Sequence, residues 1–187
     1  MSKKKPLAFL GIIVSALVLV GIFFFLKSPS LRKIVQQESY DPNTIEGTVT
    51  GDSLFPLLKD GEKVKIQMGY YSSSTVPVRE EIIAYDYAGS EIPIIKIIKG
   101  MPGDAWRLEK SGTDYKIFVN NKVLKNSEGL EYLIPENKVK VLQLYADTYP
   151  NLPKGAFLIL GDKISGTTDA TAFGLVDLDD VLGRVNR

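Results

Sequence analysis

Lys116-Ile117-Phe118-Val119-Asn120-Asn121-Lys122-Val123-Leu124 reads as two short strands joined by two asparagines, the residue type that tolerates positive φ and so closes a tight β-hairpin. Outward from this hairpin the chain repeats the theme. From residue 44 to Arg187, short apolar stretches alternate with turn residues, and no window sustains a long helical period. The pattern predicts strands over residues 45–50, 62–68, 81–87, 92–99, 105–109, 115–119, 139–145, 156–160 and 181–185. Many strands with turn signals at short intervals make a mainly β domain, a sandwich or barrel rather than a βαβ sheet. Tyr70-Tyr71-Ser72-Ser73-Ser74-Thr75 reads as a solvated loop, and the sequence shows neither an internal repeat nor a low-complexity tract.

A chain of 187 residues has room for one ordinary domain and an extra segment. Residues 7–26, LAFLGIIVSALVLVGIFFFL, supply that segment: an uncharged apolar run long enough to cross a bilayer as a helix. A removable leader has an apolar region of about 7–15 residues ending at small residues. Here the run ends in Phe23-Phe24-Phe25-Leu26-Lys27, and soluble core helices are seldom apolar without a break for this length, so an anchor is the better reading. The organisation that follows is a cytosolic N-terminus over 1–6, a transmembrane helix over 7–26, a polar juxtamembrane linker over 27–43 and a β-rich domain over 44–187. Lys3, Lys4, Lys5 and the terminal amine against Lys27, Arg32 and Lys33 give a slight lean toward a cytosolic N-terminus, hence a single-pass protein with its domain outside the cytoplasm. With 23 basic and 22 acidic residues the chain has no large field to attract nucleic acid.

The sequence contains no histidine and no cysteine. Ser-His-Asp triads, Cys-His pairs, the usual zinc sites and thiol redox chemistry are therefore excluded by composition. A serine activated by a desolvated lysine heads what remains. Gly51-Asp52-Ser53-Leu54-Phe55-Pro56 places a hydroxyl at a strand end beside an apolar surface, although three polar or small residues alone also make an ordinary turn. Lys96 stands among isoleucines in Pro93-Ile94-Ile95-Lys96-Ile97-Ile98-Lys99-Gly100-Met101-Pro102-Gly103-Asp104. Burial of an ammonium lowers its pKa and yields a usable general base, whereas snorkelling leaves it ordinary. Strand alternation puts Lys96 and Lys99 on opposite faces and leaves open which of them is buried.

Gly51-Asp52-Ser53-Leu54-Phe55-Pro56-Leu57-Leu58, followed by Asp60-Gly61-Glu62-Lys63-Val64, resembles the nucleophile box of type I signal peptidases, G-D-S-M-x-P-T-L ahead of a G-D-x-V turn. Lys96 to Asp104 is similar to their K-R-V-I-G-L-P-G-D box, 117–122 to the Y-V-N-G-K hairpin, and 152–162 to a P-x-G-x-x-F-x-L-G-D strand. Phe173-Gly174-Leu175-Val176 and Gly183-Arg184 resemble the closing F-G-x-V and G-R segments. Five boxes in order span nearly all of the domain. The resemblance implies a signal-peptidase-like β-barrel or sandwich carrying Ser53 as nucleophile and Lys96, not Lys99, as base, with Gly51, Asp52, Thr167 and Asp169 in support. It implies a membrane-bound serine endopeptidase of the cytoplasmic membrane that needs no metal or other cofactor. Its partners are signal-peptide-bearing precursors, membrane lipid and, as a further candidate, the export channel. Leu54, Phe55, Pro56 and Leu57 are the expected substrate or membrane surface, with Leu58 beside them, and core packing is their plain alternative.

The chain departs from the pattern at several places. Leu54 stands for methionine, Leu57 for threonine and Ile97 for arginine; Gly51 stands where some members carry a serine hydroxyl. The G-D-N-R-x-N-S-x-D-S-R box becomes Gly161-Asp162-Lys163-Ile164-Ser165-Gly166-Thr167-Thr168-Asp169-Ala170-Thr171. Thr167 keeps a hydroxyl to bond the lysine and Asp169 keeps the carboxylate, but Thr171 replaces the arginine paired with it. Reduced activity or a different local partner for Asp169 follows as an expectation. A non-catalytic relative binding extended apolar peptides and a β-rich envelope assembly protein are the alternatives. The anchor and the lack of a DNA-binding segment disfavour a self-cleaving repressor.

Overall fold

The predicted hairpin forms: Asn120 and Asn121 take φ of 50° and 61°, and they join β6 (Asp114–Val119) to β7 (Lys122–Val123), with Val119 opposite Lys122. This is one corner of a computed structural model that describes residues 43–72, 74–88, 92–164 and 166–187. All of them belong to one compact unit, Asp41–Arg187. The N-terminus 1–6, the apolar run 7–26 and the linker up to residue 42 lie outside the described residues, as does Ser73 of the 70–75 loop. Among the described residues no helix is long and apolar enough to cross a membrane.

The domain is mainly β. One sheet contains β1 (Thr44–Thr48), β2 (Lys63–Met68), β3 (Ile82–Tyr85), β4 (Ile94–Gly100), β9 (Ala156–Leu160), β10 (Val176–Asp177) and β11 (Val181–Asn186). Its order is β1-β2-β11-β3-β4-β9-β10, antiparallel throughout. A second sheet joins β5 (Trp106–Ser111), β6 and β7, with β8 (Leu133–Pro135) also on β6.

β4 explains why its sequence is apolar without alternation. Ile97 packs with Val49, Leu54, Leu58 and Val64, whereas Ile98 packs with Ile83, Phe157 and Ile159 in a separate core. A central strand covered on both faces buries consecutive residues, each large aliphatic side chain contributing about 1.5–3 kcal/mol. A third core, with Trp106, Ile117, Tyr132, Leu142, Leu158 and Leu160, lies between the two sheets and the helix that follows β8.

That helix corrects the expectation for residues 139–145. They do not form a strand but enter α1 (Lys140–Thr148), capped at Val139. The apolar residues that decide the matter are spaced by three: Val139 and Leu142 are buried and Tyr145 packs partly against the same core, while Leu144 is exposed. Val139, Val141 and Tyr145 mimic a strand period, but the burial follows the helical one. Val139 makes no side-chain capping bond, so the usual polar start signal is missing. The short elements β8, β10 and α2 (Ala170–Phe173) were also not anticipated.

Candidate active site

Ser53 sits in a turn-rich segment after β1 rather than on a strand. The segment is held at both ends. Val49 N–H donates to Glu62 O at 2.9 Å, and Gly51 N–H donates to Asp60 Oδ1 at 2.8 Å. Gly51 has φ of 85°, a conformation that glycine adopts without a Cβ penalty. Leu54 and Leu58, one helical turn apart and linked by Leu58 N–H to Leu54 O at 2.8 Å, are buried in the core with Ile97. This corrects the surface role expected of both: Leu54 and Leu58 anchor the loop from inside. Phe55 is 52% exposed, and Pro56 and Leu57 are half-buried.

The serine peptide is fixed from the other side by the end of β9. The Ser53 carbonyl accepts N–H bonds from Asp162 at 2.8 Å and Lys163 at 3.1 Å. Gly161 permits this approach, since a Cβ there would lie 2.6 Å from Ser53 O. Lys163 Nζ also reaches Asp52 Oδ2 at 2.6 Å, and this exposed pair holds the Asp52 carboxyl below its usual pKa. Tyr132 donates its hydroxyl to Gly161 O at 2.6 Å.

β4 brings Lys96 to the serine. Lys96 is 4% exposed, and its Nζ lies 2.9 Å from Ser53 Oγ and 2.9 Å from Ile95 O. Burial pushes the amine below the ordinary lysine pKa, and the charge of Asp169 opposes that shift. Lys99 is buried as well, which the alternation of strand faces did not reveal. Its Nζ donates to Glu80 Oε2 at 2.7 Å and Lys125 O at 3.0 Å, and lies 5.7 Å from the Tyr132 ring centre. The two lysines differ in partners, not in burial: Lys99 has a carboxylate, while Lys96 touches a hydroxyl and a carbonyl.

Asp169 is buried and caps α2. Its Oδ1 accepts from Thr171 N–H at 3.0 Å and Thr171 Oγ1 at 2.7 Å, and its Oδ2 accepts from Gly161 N–H at 3.0 Å and from the Thr167 hydroxyl. Thr167 thus donates to Asp169, correcting the expected bond to Lys96. The missing arginine is replaced by four neutral donors, enough to occupy the lone pairs of both carboxylate oxygens. Gly161, Lys163 and Thr171 escaped sequence reasoning as site residues. The Asp-x-Thr spacing of a helix cap was the available signal for Thr171, and the glycine before Asp162 was the signal for a close approach.

The pairing of an alcohol with a desolvated amine is one of the arrangements that can activate a nucleophile without histidine. The family described as signal peptidase, peptidase S26, matches over residues 7–187. Signal peptidase IB of Staphylococcus aureus strain COL is 30% identical, with 74% of each chain covered, and the same figures hold for strain Mu50. A solved signal peptidase I from Enterococcus faecalis V583 shares 22% identity over 58% of this chain and 96% of its own, with a TM-score of 0.41. The chain belongs to the signal peptidase family, the serine peptidases that remove signal peptides from precursor proteins.

Proposed function

We propose that Ser53 and Lys96 are the nucleophile and general base of this signal peptidase. The observation that carries the reading is the 2.9 Å contact between Lys96 Nζ and Ser53 Oγ, made by a lysine that is buried and in contact with no carboxylate among the described residues. Neutral Lys96 takes the Ser53 Oγ proton as Oγ attacks the scissile carbonyl carbon. The carbonyl π electrons move to oxygen, and the Ser53 backbone N–H donates to the oxyanion. Collapse of the tetrahedral intermediate breaks the C–N bond, and the Lys96 ammonium gives its proton to the leaving amine. Water then attacks the Ser53 ester while Lys96 accepts its proton, and the proton returns to Ser53 Oγ as the acid product leaves. Gly51 and Asp52 shape the turn that presents Ser53, and Thr167 and Asp169 support the dyad from behind.

The precursor binds as an added strand. β9 pairs with β4 only from Ile97 onward, so among the described residues Ile94, Ile95 and Lys96 have a strand partner on the β3 side alone, beside Ser53. Residues 7–26 anchor the chain as a single pass in the cytoplasmic membrane, with residues 1–6 in the cytosol, 27–43 as linker and 44–187 as the peptidase domain outside. Exposed Phe55, with Pro56 and Leu57, rests at the lipid surface, and the export channel delivers the precursor. The test is precursor processing in membranes by the full chain beside S53A and K96A. Both substitutions abolish cleavage if the dyad is right, and processing by either variant refutes it. Digestion of the domain by protease added to intact cells fixes the topology.

A further inference from the structure

We propose that Thr171 is a positioning residue for this cleavage reaction, acting on Ser53 through Asp169 and Gly161. The inference rests on the assignment of Ser53 and Lys96 as the dyad. Thr171 contributes two of the donors on Asp169, its backbone N–H at 3.0 Å and its hydroxyl at 2.7 Å, both to Oδ1. The other carboxylate oxygen is thereby left to face Gly161 N–H at 3.0 Å and the Thr167 hydroxyl. Gly161 is the last residue before the two N–H groups, Asp162 and Lys163, that hold the Ser53 carbonyl. A rotation of the Asp169 carboxylate is therefore passed on, through one glycine, to the peptide of the nucleophile.

The lever has a fixed support. Ala172 and Phe173 N–H groups return to Asp169 O at 2.8 and 3.2 Å, closing the turn of α2. The Phe173 ring lies 5.6 Å from the Tyr85 ring and 5.1 Å from the Tyr87 ring, which ties the turn to β3 and the residues after it. With the turn held there, the free variable is the χ torsion of Asp169, and the Thr171 hydroxyl is the side-chain contact that sets it on the Oδ1 side. Thr167 sets the other side. Loss of the Thr171 hydroxyl leaves Oδ1 with the backbone N–H as its one donor among the bonds described, and a buried carboxylate short of a donor is costly, so it shifts toward another.

The experiment uses the full chain in detergent with a precursor substrate and compares wild type, T171V, T171S, D169N and T171V/D169N. T171V is nearly isosteric and lacks only the hydroxyl as a donor. Its kcat falls about tenfold with KM unchanged, as for a lost hydrogen bond to a charged group, and T171S restores kcat. In the D169N background the T171V substitution has a smaller effect, because there the hydroxyl donates at most to a neutral amide oxygen, a weaker bond than the one to the carboxylate. A residue serving stability alone gives instead the same added loss in both backgrounds. The proposal is overturned if T171V cleaves like wild type, if its loss appears in KM, or if its effect simply multiplies with that of D169N. S53A run alongside separates the two levels: an active S53A removes the dyad, whereas an inactive S53A beside an unaffected T171V removes only the role of Thr171.

Discussion

Substitution of Gly161 by alanine tests how closely the end of β9 governs the serine. The new Cβ would lie 2.6 Å from Ser53 O and 2.8 Å from Thr167 Cγ2. An unstrained carbon to carbonyl-oxygen contact is about 3.3 Å, so the Ser53 peptide must retreat by roughly 0.7 Å. Retreat stretches the bonds from Asp162 N–H and Lys163 N–H, now 2.8 and 3.1 Å, and carries Ser53 Oγ away from Lys96. A displacement near 1 Å costs about a hundredfold in rate, and overpacking of a close contact costs about 1–3 kcal/mol of stability. G161A is therefore expected to lower kcat/KM by roughly 30- to 100-fold in a precursor-peptide cleavage assay, with a smaller urea midpoint. Gly100→Ala is the matched control. Its Cβ would meet Leu152 Cδ1 at 2.6 Å and Leu158 Cβ at 2.9 Å, equally crowded but against side chains away from Ser53. It should lose stability with its cleavage rate close to wild type. If G161A retains wild-type kcat/KM, or if both variants lose activity in parallel with stability, the coupling through the Ser53 carbonyl is wrong.

If neutral Lys96 is the base, kcat/KM rises as pH climbs through its folded pKa, which burial sets below the ordinary lysine value. Asp169 holds that pKa up, so D169N moves the acid limb of the residual activity to lower pH; a limb that stays or rises contradicts the assignment. By linkage the buried amine binds fewer protons folded than unfolded, so its contribution to stability grows as pH rises from the depressed value toward 10.5. Urea titrations of wild type show this slope, and K96M, with nothing to titrate, reduces it. Lys99→Met removes the ion pair with Glu80 but leaves the dyad in place; cleavage persists and the urea midpoint falls, whereas loss of cleavage at full stability makes Lys99 the base. Leu54→Ala empties a core position behind Ser53 and costs about 2–5 kcal/mol, read as a shift in the urea midpoint; an unchanged midpoint places Leu54 outside the core.

The features legible in the sequence were those written in neighbouring residues. Asn120-Asn121 announced the hairpin because two left-handed residues are a local requirement, and the apolar run around Lys96 announced a buried strand. Composition named serine and lysine by leaving no histidine or cysteine to compete. What failed depended on contacts remote in the chain. The lysine that escapes a counter-ion is decided by Glu80, which lies in the loop before β3. The face that Leu54 presents is decided by Val64, Ala84 and Val185 on three different strands. Helix α1 was missed because its apolar spacing fits a strand as well as a helix until Trp106 and Leu158 supply a core for one of them. Thr167 was assigned to the lysine because a motif records which groups are present, not which acceptor each of them faces.

The neutral clamp on Asp169 has an electrostatic consequence of its own. Among the described residues no cation contacts this carboxylate, so hydroxyl and amide dipoles orient it without cancelling its charge. In the proposed mechanism its field falls on Lys96, the group that gains a positive charge when Ser53 gives up its proton. The same field that opposes deprotonation of the resting amine would then steady the ammonium formed in that step, so one buried anion acts on both ground-state basicity and transition-state stabilisation.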